Sequence, residues 1–179
     1  MIGAFGASAL KQRRNRAMIA VLIGCGLRRA EAAALKFEDV QLREEHWVIA
    51  DLNGKGGHIR TVPMPNWVKT AIDEWAILAG INSGPLFRAI NKAGRVRGNG
   101  FTPKVIWSIV KEGAANCGLV GLAPHDLRRT CARLCHQELE QIQFLLGHVS
   151  IETIERYLGC KQRFQNAVND AIGLDLNGS

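Results

Sequence analysis

The chain has 179 residues, 47% of them hydrophobic, and a formal net charge of +7. That length supports one domain with a proper core and excludes two comfortable ones, and the absence of low-complexity tracts excludes a disordered chain. The basic excess points to a polyanionic partner, nucleic acid before membrane, because the cations are dispersed rather than aligned on one amphipathic helix. Five cysteines, at 25, 117, 131, 135 and 160, show no paired spacing of the secreted kind. Their odd count reads as reduced thiols in a cytosol.

In chain order, RRNRAMIAVLIGC (13–25) resembles an export signal locally, with basic residues ahead of an apolar run that ends in Cys25. The run is short for a span and is followed at once by Arg28 and Arg29, so a buried helix over 15–24, ended by Gly24 and Gly26, is the better reading. Residues 28–36 read as a second, Ala-rich helix. HWVIADL (46–52) and HIRTVPM (58–64) read as strands joined by NGKGG, a strong hairpin signal that puts Lys55 at or near the turn. Helices return at 67–79 and at 103–117, the latter with Thr102 as N-cap and Pro103 at the first helical position. Between them, 82–100 is rich in Gly, Asn and Arg and reads as a mobile basic loop. The fold class expected is α+β, a mostly helical domain with one small antiparallel sheet.

Three clusters carry chemistry. In GLRRAE, Arg28 opens a helix and Glu31 lies one turn on, able to hold the guanidinium. An arginine fixed there is well placed for a phosphate, whereas the plain alternative is a solvated surface pair. In PHDLRRTCARLCH, Pro124 introduces a helix that sets His125 and Arg128 on one face, a proton carrier and a permanent charge aimed at the same anion. Cys131, Cys135 and His136 on that helix invite a zinc reading, but their spacing completes no known closed site and buried thiols explain them better. In LLGHVSIETIERYLG, Gly147 ends a helix, His148 follows in the turn, and Ser150 caps the next helix with Glu152 in its first turn. Ile151, Ile154 and Leu158 form its buried stripe. Tyr157, the only tyrosine in the chain, falls beside that stripe, so its ring can rest on the core with the hydroxyl outward. Read alone, it is a core aromatic with a wet tip.

GLRRAE, a lysine in a hairpin turn, HDLRRT, LLGH and a tyrosine nine residues later occur in one order. From about Arg16 to about Lys161 the chain resembles the catalytic domain of the tyrosine recombinases, the phage integrase family. The resemblance implies that Arg28 and Arg128 grip the scissile phosphate and that Lys55 protonates the leaving 5′ oxygen. It further implies that His125 manages the nucleophile's proton, that His148 hydrogen-bonds the phosphate, that Tyr157 is the nucleophile and that Glu31 supports Arg28. The family often has His where this chain has Arg129. The candidate DNA-contacting cations are Arg29, Arg60, Arg95, Arg97, Lys104 and Arg129.

The chemistry implied is site-specific recombination of double-stranded DNA through a 3′-phosphotyrosine, with no cofactor and no metal. Glu31, Glu38, Asp39, Asp51, Asp73 and Glu74 are too scattered for a two-metal nuclease. A type IB topoisomerase uses a similar residue set, and a non-catalytic DNA-binding remnant is the alternative of another class. The domain expectation is one catalytic-type unit over 1–179, with no preceding core-binding domain. Its amphipathic tail (about 158–179) would dock on a neighbouring protomer in a tetramer on DNA, the free protein being monomeric. The expected location is cytoplasmic, on the nucleoid when bound, and without membrane contact.

Overall fold

A computed structural model describes residues 7–53, 59–98, 100–135 and 145–146. Helix α1 (Ala7–Gly24) begins eight residues before the expected start at 15. Leu10, Arg14, Ala17, Met18 and Val21 follow helical spacing and are all buried. Arg14 interrupts the apolar stripe in the sequence, but its guanidinium lies 4.8 Å from the centre of the Phe101 ring and burial lowers its pKa. A stripe carrying a cation is hidden from a reading based on apolar periodicity.

Helix α2 (Arg29–Ala34) is shorter than the 28–36 expected, and a 3-10 turn (Phe37–Asp39) leads from it into the sheet. Strands β1 (Val40–Arg43), β2 (His46–Asn53) and β3 (Ile59–Pro63) form an antiparallel sheet in the order β1-β2-β3. Strand β1 was not anticipated. It is joined to β2 by Glu44 and Glu45, both at positive φ, the backbone of a tight primed turn without the Asn-Gly chemistry that signals one. The β2–β3 register shifts between Ile49 and Leu52, where Asp51 takes a φ of 50°, a bulge that sets Leu52 opposite Arg60.

Helix α3 (Asn66–Ala79) closes on Gly80 in the left-handed conformation. Within 82–100, expected as a mobile loop, the structure has a small ribbon of β4 (Ala89–Ile90) and β5 (Val96–Arg97). Leu86 and Phe87 ahead of it are buried, and the indole of Trp75 donates to the Leu86 carbonyl at 2.9 Å. Helix α4 (Pro103–Asn116) has Thr102 at its N-cap position and Pro103 in its first turn, though the Thr102 hydroxyl makes no capping bond. Helix α5 (Pro124–Leu134) follows. The core joins one face of α1 to α3, α5 and the inner side of β2 and β3. No described helix is long and apolar enough to cross a membrane.

Candidate active site

The site is built on the turn after α1. Gly26 takes a φ of +60°, which a side chain would strain, and turns the chain so that Arg28 stands at the head of α2. Glu31, buried one turn into α2, reaches back. One carboxylate oxygen accepts from the Arg28 backbone N–H at 2.8 Å and the other from its guanidinium at 2.9 Å. Arg60 reaches the same carboxylate from β3 with two parallel bonds of 2.9 Å each, while its Nε donates to the Leu145 carbonyl at 3.3 Å. Burial alone would raise the pKa of Glu31. The hydrogen bonds and charge of Arg60, with the bonds from Arg28, outweigh burial and hold the carboxyl below its ordinary value.

The opposite wall comes from α5. Pro124 sits in its first turn, and the Asp126 carboxylate accepts from the Ala123 N–H at 2.9 Å, which closes the helix start. Arg128, one turn in, is 5% exposed. Its guanidinium donates to the carbonyls of Gly26 and Leu146, so the second arginine rests on the turn that delivers the first. Burial, then the charges of Arg28 and Arg60, lower its pKa to about 10. His125 is exposed one turn earlier on the same helix. Arg28, Arg29, Trp107, His125 and Arg128 line one open cavity of about 410 Å³.

Arg28 and Arg60 bond the Glu31 carboxylate and Arg128 stands beside them on the cavity wall, three positive charges against one negative in a partly desolvated cleft. Such a cleft favours an anion with several acceptor oxygens, as a phosphate has. The structure thus brings Arg28, His125 and Arg128 together, with Glu31 below them. Lys55, His148 and Tyr157 lie outside the described residues, as do the tail and His136.

Among the expected DNA-contacting cations, Arg29, Arg95, Arg97, Lys104 and Arg129 are exposed. Arg60, expected among the DNA-contacting cations, is turned inward instead. Its side chain is only 10% exposed and faces Glu31 rather than solvent, so it is an internal partner of the site and not a surface contact. The signal was present in the strand: Arg60 shares a face with buried Val62, and a charge on the inner face of a strand demands a buried counter-charge. Trp107, at the cavity wall, had no signal of its own beyond its place on α4. Cys131 and Cys135 are buried, as expected of helix thiols. The Cys131 thiol is pushed up by its hydrogen bond with Cys135 and then by burial, so it stays protonated.

Comparison with known proteins gives the chain its family. The family model described as phage integrase family matches residues 5–163. The tyrosine recombinase XerA of Pyrococcus furiosus is 31% identical over 147 residues, which cover 80% of this chain and 49% of that protein. XerD of Ralstonia nicotianae is 34% identical over 154 residues, covering 80% of this chain and 47% of that one. The chain spans about half the length of the curated relatives it matches. Among solved structures, the XerH site-specific recombinase bound to its difH substrate in a pre-cleavage complex superposes with a TM-score of 0.63 at 28% identity, over 87% of this chain and 45% of that one. The crystal structure of XerA superposes with a TM-score of 0.61 at 24% identity, over 87% and 56%, and supports the same fold. By family match, sequence and fold, the chain belongs to the phage integrase family, the tyrosine recombinases.

Proposed function

We propose that this chain carries the strand-cleaving and rejoining chemistry of a site-specific DNA recombinase. The observation that carries the reading is that Arg28, His125 and Arg128 line one cavity while a buried carboxylate fixes the first arginine from below. DNA phosphodiesters resist attack because the anion repels nucleophiles and an alkoxide leaves poorly. Two preorganised arginines oppose the charge that gathers at phosphorus, each contributing roughly 3 kcal/mol.

In the proposed reaction the Tyr157 oxygen attacks phosphorus and forms a 3′-phosphotyrosine as the bond to the 5′ oxygen breaks. The phenol proton passes to His125, and Lys55 gives a proton to the departing 5′ oxygen, a step that contributes roughly 10²–10⁴-fold. His148 hydrogen-bonds the phosphate. The tyrosyl ester conserves the energy of the broken bond, so rejoining needs no cofactor, and no metal takes part.

The partner is double-stranded DNA, and XerH, solved on its difH substrate, is a precedent for that pairing. Residues 1–179 form one catalytic unit, monomeric when free and one of four protomers on DNA, in the cytoplasm and on the nucleoid when bound. Its tail (about 158–179) docks on the neighbouring protomer, and a head-to-tail contact of this kind closes into a ring.

The test is incubation with a library of nicked suicide duplexes bearing randomised palindromic half-sites, followed by denaturing gels. A covalent protein–DNA adduct separates an enzyme from a DNA-binding remnant. Ligation of heterologous ends then separates a recombinase from a nicking-closing topoisomerase.

A further inference from the structure

The Arg60–Glu31 pair is the most completely bonded ion pair of the described site, and the arginine belongs to neither wall of the cavity. Its guanidinium covers both oxygens of Glu31, and its Nε is held by the Leu145 carbonyl. We propose that Arg60 is a positioning residue which shares Glu31 with Arg28, so that the carboxylate orients Arg28 without cancelling its charge.

Glu31 does two things at once. It locks Arg28 through the backbone N–H and the guanidinium, and it brings a full negative charge against a residue that has to attract an anion. Inside a partly desolvated cleft that charge is poorly screened, and with Arg28 alone as partner it would neutralise most of what the arginine offers. A second guanidinium on the same carboxylate removes the conflict. The cluster of Arg28, Arg60, Arg128 and Glu31 then carries a surplus of two positive charges. A phosphodiester carries one negative charge and acquires a second as a phenolate oxygen joins it, so that surplus matches the transition state rather than the ground state.

Arg60 also binds the carbonyl next to the one that Arg128 binds, Leu145 beside Leu146. The two arginines therefore hold adjacent peptide groups immediately ahead of Gly147 and His148. This inference rests on the strand-transfer reading for its substrate, but not for its geometry.

A charge-cycle experiment on the full chain decides it. Arg60→Gln lowers the surplus by one, and Glu31→Gln combined with Arg60→Gln restores it while removing the pair. Single-turnover adduct formation on a cleavable duplex should fall by about ten- to a hundredfold in Arg60→Gln and recover by at least about tenfold in the double variant. Arg60→Lys, which keeps the charge, should remain closer to the parent than Arg60→Gln. A residue that only held the fold together would show no recovery in the double variant.

Inorganic phosphate, titrated at constant ionic strength and read as a rise in Tm, gives a measure independent of cleavage. The same order is expected there, parent and double variant above Arg60→Gln. If the parent forms no adduct, the strand-transfer reading fails and the phosphate titration alone decides this proposal. A folded Arg60→Gln within about twofold of the parent in both measurements, or a folded double variant no better than Arg60→Gln, overturns it. If Arg60→Gln does not fold, loss of phosphate binding in folded Arg60→Lys overturns it equally.

Discussion

The guanidinium of Arg128 donates to the carbonyl of Gly26, so two residues 102 positions apart tie α5 to the turn that delivers Arg28. Gly26 meets three demands at that point. Its backbone is left-handed, its carbonyl faces Arg128, and its Cα lies against the side chains of Leu146 and Cys131.

Replacing this glycine should therefore be costly. In Gly26→Ala the new methyl would sit 2.8 Å from Leu146 Cδ2 and 3.2 Å from Cys131 Sγ, on a φ that disfavours any side chain. A loss of roughly 1–3 kcal/mol is expected, read as a lower urea midpoint with an unchanged m-value. A variant as stable as the parent would mean that the turn relaxes without strain.

Arg128 should not tolerate lysine. Arg128→Lys keeps the charge, but a point ammonium cannot serve the Gly26 and Leu146 carbonyls and also present a planar fork to a phosphate. Adduct formation should fall by about 10²–10³-fold while affinity for duplex DNA changes little. Parental cleavage rates would reduce Arg128 to a backbone contact.

Glu31 gives the fold a specific pH dependence. Its folded pKa lies below the ordinary carboxylate range, so its stabilisation is fully present above that range and is lost as pH falls through the lower folded value. At pH 7, Glu31→Gln should unfold with about 3 kcal/mol less resistance to urea than the parent, since removal of one partner leaves buried arginine charge uncompensated. The difference should shrink as the solution is acidified toward pH 3. A gap of the same size at both values would show that Glu31 contributes through packing rather than through charge.

Much of this site is legible in the sequence because it is local. Arg28 and Glu31 are one helical turn apart, as are His125 and Arg128, and helix geometry alone pairs them. What escaped the sequence is non-local or chemically disguised. Arg60 reaches Glu31 across 29 positions, and nothing in the composition of β3 names its partner. Strand β1 hides because Glu44 and Glu45 adopt positive φ without turn-type residues. The first half of α1 hides because Arg14 occupies a core position.

The tail offers a separate test of assembly. Phe164, Val168, Ala171 and Ile172 fall at helical spacings, an apolar pattern that the proposed docking on a neighbouring protomer would use. Truncation after Cys160 should preserve the unfolding transition and single-site DNA binding but abolish the four-protomer complex in sizing runs with DNA. Complexes that form as readily without the tail would assign it to packing on its own domain.

The central claim is that Tyr157 becomes covalently joined to DNA. Its most direct measurement compares the parent with Tyr157→Phe on a nicked suicide duplex that the parent cleaves, with the adduct mapped by peptide mass spectrometry. Loss of one hydroxyl should leave the urea midpoint and DNA affinity nearly unchanged and remove the adduct entirely, and the parent's modified peptide should contain Tyr157. An adduct formed by the phenylalanine variant, or a parental adduct on any other residue, would contradict the account.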